Sequence, residues 1–212
     1  NIEWIDSENI SEETVADALK NCDGIVLPGG FGSRGIKGMI LTADYCRKNN
    51  VPYLGICLGM QIAVIDFARN VAGIKDADSG EFNECAENKV IDFLPDQNSH
   101  VNMGGTLRLG AYPCKLRDNT RIRDCYGREE ISERHRHRYE FSNAYRDVLE
   151  NAGMTISGTS PDDYIVETVE LQSNDFYVGV QFHPEFKSRP DRPHPLFLGL
   201  VGASIKNKSK KM

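Results

Sequence analysis

The spacing of hydrophobic residues predicts alternating strands and helices in the first half of the chain. A short apolar run at residues 25–27 ends at a Pro-Gly-Gly turn, which is typical of a buried strand leading into a loop. Apolar residues then recur at helical spacing over 38–48, and a second apolar run follows at 51–56. Residues 60–71 repeat at i, i+3, i+4 and i+7, which predicts another helix. This order favours a parallel sheet with helices on its faces.

The second half has a less regular pattern. Five further elements and a tail are predicted, in chain order: a strand or loop at 104–110, a helix at about 143–151 ended by Gly153, a half-buried strand at 164–171, a buried strand at 176–182, a closing helix at 196–205 and a solvated basic tail at 206–212. Residues 121–140 carry six arginines and five acids, so a solvated, ion-paired surface is one interpretation of that stretch.

Composition predicts one globular domain over residues 1–212. The chain is 40% hydrophobic and 26% charged, which suffices for a single core. Its net charge of −6 argues against a nucleic-acid or anionic-membrane surface, and no apolar run approaches the ~20 residues that cross a bilayer. Six cysteines without a C-x-x-C pair favour a reducing cytoplasm over a disulfide framework, and the histidines are poorly spaced for a metal. We expect a cytoplasmic protein with no metal site.

Cys57 stands between two glycines where a predicted strand meets a strongly periodic helix. Gly55 and Gly59 would let the backbone make the sharp turn that projects a nucleophile above a sheet. The positive end of the helix would favour the thiolate. Residues 55–59 taken alone have an alternative interpretation, in which Cys57 is a small structural cysteine packed in a tight turn.

His183 and Glu185 follow the last predicted strand. In extended backbone, residues i and i+2 point to the same side, so the carboxylate could orient the imidazole while the imidazole takes and returns a thiol proton. Ligands of open α/β sheets bind at the carboxyl ends of strands, where Cys57 would also lie. The alternative is a histidine and a glutamate in a surface turn that Pro184 initiates. This alternative is less favoured when the pair is considered together with Cys57.

The glycine-rich turn at residues 28–32 ends a third strand at the same edge of the sheet. Backbone N–H groups of Gly30 and Leu58 would make a two-donor oxyanion hole. A lone glycine-rich turn is more often only a turn. The chain lacks G-x-x-x-x-G-K-[ST], so no ATP site of that kind is expected.

Together these motifs resemble the class I (triad) glutamine amidotransferase family, whose fold is flavodoxin-like. Four further runs are similar to the glutaminase domains of CTP synthases: residues 27–35, 104–110, 133–140 and 181–186. The implied fold class is α/β, with an open, mostly parallel sheet flanked by helices and extra strands in the C-terminal half.

The resemblance also implies a function and a set of site residues. The expected reaction is hydrolysis of L-glutamine to glutamate and ammonia, with Cys57 as nucleophile, His183 as general acid/base and Glu185 as its orienter. The implied substrate-binding residues are Gly30, Leu58, Gly59, Met60, Gln61, Glu81 and Arg138. Glu81 suits the ammonium of glutamine, and Arg138 can grip its carboxylate with two hydrogen bonds.

Further expectations concern the rest of such an enzyme. A separate synthetase domain would use the ammonia, with ATP and Mg²⁺, to aminate UTP to CTP. GTP would be an allosteric activator, with Arg34 as a candidate contact, and the full-length enzyme would be a homo-oligomer, a tetramer. The glutaminase domain itself would need no cofactor.

Two departures from the family pattern are visible. The family's first strand and helix, and the synthetase domain, have no counterpart in this sequence, so one edge of the sheet would be unpaired. Gly80 stands where threonine is common, which would loosen the loop that carries Glu81. Three alternatives remain: another triad amidotransferase, a γ-glutamyl hydrolase, and a non-catalytic module on the same fold.

Overall fold

The computed structural model describes residues 1–93 and 107–211. Its α-helices are α1 (Val15–Leu19), α2 (Ile36–Lys48), α3 (Leu58–Asn70), α4 (Arg121–Tyr126), α5 (Arg146–Asn151) and α6 (Pro195–Lys211). Its strands are β1 (Ile25–Leu27), β2 (Tyr53–Ile56), β3 (Asp78–Ser79), β4 (Lys89–Asp92), β5 (Arg108–Leu116), β6 (Glu130–His137), β7 (Glu140–Phe141), β8 (Thr155–Thr159), β9 (Val166–Glu170) and β10 (Tyr177–Val180). Residues 104–106 of the strand or loop predicted at 104–110 lie outside the described residues.

Seven of the strands form one sheet, in the order β1-β2-β10-β9-β8-β5-β6, and β3, β4 and β7 form a small second sheet. The α/β class, the flanking helices and the extra C-terminal strands are confirmed. The expectation of a mostly parallel sheet is wrong: in the described residues only β1–β2 and β2–β10 are parallel pairs of the large sheet. The other four pairs of that sheet are antiparallel. The connections from β8 to β9 (160–165) and from β9 to β10 (171–176) are shorter than the crossover of about a dozen residues that a parallel pair needs.

Helices cover both faces of the parallel part of the sheet. Tyr53 of β2 and Tyr177 of β10 stack at 4.5 Å between ring centroids and belong to a core with α2 and α3. The next residues along each strand, Leu54 and Val178, face a second core with α4 and α6. Alternate strand residues therefore fill two apolar layers, as expected for strands buried on both sides.

Strand β9 is buried throughout, so the prediction of a half-buried strand at 164–171 is wrong. Its polar side chains are buried because each has a partner. The Arg108 guanidinium donates to Glu167 at 2.7 Å, and the Arg121 backbone N–H at the start of α4 donates to Glu170 at 3.0 Å. The polar residues that alternate along this strand are therefore buried and paired, and they do not form a solvated face.

The charge-dense stretch at 121–140 is solvated on one face only. It folds as α4 and β6, and alternate residues of β6 are buried. His137 contacts Glu140 at 2.7 Å, and Arg108 donates to the same carboxylate at 3.0 Å. Burial and the Arg108 charge lower the pKa of His135 to about 2, so this ring is neutral. The interpretation as a solvated, ion-paired surface therefore holds for the exposed residues of β6 and is wrong for the buried ones.

The basic tail predicted at 206–212 is helical as far as the structure describes it. Helix α6 continues to Lys211, whose ammonium donates to the Cys22 carbonyl at 2.9 Å. Lys210 pairs with Asp175, and cations in the last turn complement the negative end of the helix. None of the helices in the described ranges is both long and apolar enough to cross a membrane.

Candidate active site

Cys57 occupies a strained turn between the end of β2 and the start of α3. Its φ is +52° and its ψ is −104°, a conformation that few residues other than glycine adopt. Both flanking glycines are needed for close approach. A Cβ on Gly55 would lie 2.6 Å from the Gly59 carbonyl, and a Cβ on Gly59 would lie 2.2 Å from the Leu27 carbonyl oxygen. The elbow geometry predicted from the sequence is confirmed.

A methyl group at Gly59 is therefore expected to distort the elbow. Gly59→Ala should lower the free energy of unfolding by about 3 kcal/mol, because the added Cβ overlaps the backbone of β1. The matched control is Gly202→Ala in α6, where the added Cβ meets nothing within 4 Å. That change should raise stability by about 0.5–1 kcal/mol through the higher helix propensity of alanine. Urea unfolding measures both, and equal stabilities of the two variants would contradict the close packing.

The Cys57 thiol is buried among carboxylates. Burial raises its pKa to about 12, the Leu58 backbone N–H at the helix start lowers it, and Glu140, Glu81 and Glu185 raise it further. The expectation that the helix end favours a thiolate is thus outweighed in this structure. The sulfur is a protonated thiol near neutral pH and needs a base to become a nucleophile.

His183 and Glu185 form an imidazole–carboxylate pair just beyond the end of β10. His183 Nδ1 lies 2.6 Å from Glu185 Oε1, so the two side chains meet as predicted. The expectation of extended backbone between them is wrong, because Pro184–Phe186 form a 3-10 helix that begins just after His183. Although partial burial opposes it, this hydrogen bond lowers the pKa of Glu185 below its usual value. The other ring nitrogen, Nε2, is buried and has no hydrogen-bond partner among the described residues. Gly29 packs against both catalytic candidates, since its Cβ would lie 2.9 Å from His183 Cε1 and 3.5 Å from Cys57 Cβ.

Two contacts of the site have no clear signature in the sequence. The ring of Phe186 stacks on His183, with centroids 4.9 Å apart and planes 18° from parallel. The side-chain nitrogen of Gln181 lies 3.7 Å from the Cys57 sulfur. Both residues flank the His-Pro-Glu motif, so their place next to it along the chain is the only available signal.

The glycine-rich turn lies against the start of α3. A Cβ on Gly30 would lie 3.0 Å from the Leu58 side chain, so the two proposed oxyanion donors are neighbours. Glu81 reaches the same turn, where its Oε1 accepts from the Gly32 N–H at 2.8 Å. The Gly80 N–H donates to the Ile91 carbonyl at 2.9 Å, so the backbone next to Glu81 is tied to β4.

The remaining candidates differ in what they offer to a substrate. Gln61 is buried in the first turn of α3, and its side-chain nitrogen donates to the Tyr139 carbonyl at 2.9 Å. Arg138, adjacent to that carbonyl, is half-buried just beyond β6. The Met60 side chain is wholly buried against Gly179 of β10, so only its backbone could contact a ligand.

Arg34, the candidate GTP contact, is exposed and forms an ion pair with Glu8 at 2.6 Å. Within residues 1–93 and 107–211, no three His, Cys, Asp or Glu side chains are grouped so that they could hold a metal ion.

Comparisons with known proteins agree with this geometry. The family profile described as "Glutamine amidotransferase class-I" matches residues 1–203. A CTP synthase from Carboxydothermus hydrogenoformans is 58% identical over 206 residues, which are 97% of this chain and 38% of that protein. A Staphylococcus aureus CTP synthase is 52% identical over 99% of this chain and 39% of its own length. The chain thus spans less than two-fifths of these curated relatives.

A solved structure gives a closer match in length. "Trypanosoma brucei CTPS - glutaminase domain with bound acivicin" superposes with a TM-score of 0.91 at 39% identity, covering 97% of this chain and 81% of that one. A glutamine amidotransferase from Thermotoga maritima, at 16% identity and a TM-score of 0.51, covers 90% of this chain and 74% of its own and shares the fold.

The chain belongs to the class-I glutamine amidotransferase family, because the family profile matches residues 1–203. The strained cysteine and the His–Glu pair agree with this class. Within that family it is a glutamine amidotransferase domain of the CTP synthase type.

Proposed function

We propose that this domain hydrolyses L-glutamine to glutamate and ammonia through a glutamyl thioester on Cys57. The observation that carries the proposal is the strained Cys57 at the end of β2, beside the 2.6 Å His183–Glu185 pair at the end of the adjacent parallel strand β10. Such an arrangement supplies a nucleophile, a base and an orienting carboxylate at one edge of the sheet.

The chemistry follows from these groups. His183 Nε2 takes the proton from Cys57 Sγ, and the thiolate attacks the side-chain carboxamide carbon of glutamine. The negative oxygen that forms faces the N–H groups of Gly30 and Leu58. Ammonia leaves with the proton from His183, and the thioester remains. A water molecule, deprotonated by His183, then releases glutamate and returns the thiol.

Glu81, Arg138 and Gln61 would select glutamine by its amino-acid end. In the free domain Glu81 caps the glycine-rich turn through Gly32, which places a carboxylate beside the proposed oxyanion hole. An ammonium bound there and a carboxylate on the half-buried Arg138 guanidinium would fix the substrate at both charges. The backbones of Gly59 and Met60 complete the proposed substrate contacts.

Loss of Arg138 is expected to weaken glutamine binding. Arg138→Met should raise KM for glutamine about 10- to 100-fold and change kcat far less, because the guanidinium holds a part of the substrate that does not react. The control is Arg136→Met, two residues earlier on the exposed face of β6, which should leave KM unchanged. Steady-state ammonia release measures both; the same KM in the two variants would contradict the assignment of Arg138.

In the longer protein, we propose that the ammonia passes to a synthetase domain that aminates UTP to CTP with ATP and Mg²⁺. GTP would activate the transfer, with Arg34 as a candidate contact, and the enzyme would act as a cytoplasmic homotetramer. The close identity to CTP synthases over nearly the whole chain supports this proposal.

Substrate preference and product test the proposal against its alternatives. Ammonia release from L-glutamine, with γ-glutamyl peptides turned over poorly, is expected; efficient cleavage of γ-glutamyl peptides would favour a γ-glutamyl hydrolase. Glutamine- and GTP-dependent CTP formation by the longer protein is expected as well. Amination of another acceptor would indicate a different triad amidotransferase, and no glutamine hydrolysis under any of these conditions would indicate a non-catalytic module.

A further inference from the structure

We propose that Gln181 is a further catalytic residue of this site, whose carboxamide N–H donates to the Cys57 sulfur and stabilises the thiolate. This inference rests on the proposed function of Cys57 as nucleophile. Gln181 Nε2 lies 3.7 Å from Cys57 Sγ, which is within reach of a sulfur acceptor, and the side chain is wholly buried. A polar group in that position stabilises the buried anion more than the neutral thiol.

Strand register fixes the two residues next to each other. Ile56 of β2 pairs with Val180 of β10, and the Cys57 backbone N–H donates to the Val180 carbonyl at 2.7 Å. Gln181 is the next residue along the chain after β10, and its own backbone N–H donates to the Glu167 carbonyl of β9 at 2.8 Å. The backbone at both ends of the contact is therefore anchored in the sheet.

A single backbone carbonyl fixes which end of the Gln181 amide faces the sulfur. The Tyr139 carbonyl can only accept, so Gln61 must turn its nitrogen toward it, at 2.9 Å. The second proton on that nitrogen points to Gln181 Oε1, at 3.2 Å. Since the Gln181 oxygen is committed to Gln61, its nitrogen faces Cys57. Flipping either buried amide would set two acceptors or two donors against each other.

The environment of the sulfur gives this donor its importance. Burial and three nearby carboxylates raise the pKa of Cys57 to about 12. A hydrogen-bond donor to the sulfur therefore makes an important contribution to the stability of the thiolate. The proton moves from Cys57 Sγ to His183 Nε2, and no bond to Gln181 forms or breaks. Gln181 lowers the cost of that transfer and stabilises the same sulfur when it leaves the thioester.

The same chain of hydrogen bonds limits what Gln61 can do for the substrate. Both protons of its side-chain nitrogen are used, one by Tyr139 and one by Gln181. Only its oxygen remains, so Gln61 would accept from the ammonium of glutamine and would not donate to its carboxylate.

The test is the pH dependence of alkylation of Cys57 by iodoacetamide, followed peptide by peptide by mass spectrometry. Gln181→Met keeps the length of the side chain and removes the donor. We expect Cys57 of this variant to react about tenfold more slowly at each pH from 7 to 10, because the profile moves to higher pH. Exposed Cys85 serves as an internal reference whose rate should not change. Gln172→Met, at an exposed glutamine, is the matched control and should behave as wild type.

A second variant covers the case in which Gln181→Met does not fold, as judged by circular dichroism. Gln181→Asn keeps the amide but is one methylene shorter, so it should lose the contact with the sulfur and show the same shift. A Cys57 profile that coincides with wild type in a folded variant would overturn the proposal. Alkylation needs no turnover: a shifted profile in a chain that does not hydrolyse glutamine would support the hydrogen bond and contradict the proposed function.

Discussion

Replacing Cys57 with alanine is expected to reduce ammonia release from glutamine by a factor of at least about 10⁴. The reason is that no other group in the described site can form the thioester, and solvent water must then attack the carboxamide directly. The variant should fold, because the elbow depends on Gly55 and Gly59 rather than on the sulfur. Ammonia release under saturating glutamine is the measurement.

The matched control is Cys85→Ala. Cys85 is an exposed cysteine of the same chain, far from the elbow in sequence, and its removal should leave the rate unchanged. A Cys57→Ala variant that kept the wild-type rate would show that the reaction does not pass through this sulfur. Equal losses in the two variants would point to general damage by loss of a thiol.

The second large effect is expected for His183→Ala. Burial and the neighbouring carboxylates raise the pKa of Cys57 to about 12, so the sulfur is almost entirely protonated at pH 8 and the proposed mechanism depends on His183 to take the proton. Removing the imidazole should lower kcat by about 10³- to 10⁴-fold at that pH. We expect circular dichroism of the variant to match wild type, since the ring lies at the edge of the sheet beside the exposed Phe186.

The pH dependence of the rate of His183→Ala tests whether the loss of activity comes from the missing base. Without His183, the rate should follow the thiolate and rise about tenfold for each pH unit from 7 to 10, because that range lies below the pKa of Cys57. The wild-type rate should not rise in this way, since the imidazole is its proposed base. A variant with a flat profile over this range would contradict the role of His183 as the base.

The sequence predicts the features of the site that are local. The turn around Cys57 depends on glycines two residues to either side, so it is visible in a short motif. The His183–Glu185 pair is visible in the sequence as well, although a 3-10 helix over Pro184–Phe186, and not the extended backbone expected, brings the two side chains together. The strands β1 and β2 and the helices α2 and α3 follow in the same way from hydrophobic spacing.

What the sequence did not predict depends on residues distant along the chain. The buried carboxylate of Glu167 is tolerated because Arg108, 59 residues earlier, donates to it. Gln181 reaches Cys57 across 124 residues because β2 and β10 pair in register. The antiparallel part of the sheet likewise reflects how distant segments pair, which hydrophobic spacing alone does not encode.

A crystal structure of this chain after reaction with an electrophilic analogue of glutamine tests the proposed chemistry at Cys57 directly. We expect a covalent bond to Cys57 Sγ, with the former carboxamide oxygen between the N–H groups of Gly30 and Leu58 and the amino-acid end between Glu81 and Arg138. An adduct on a different cysteine, or an amino-acid end that contacts neither Glu81 nor Arg138, would contradict it.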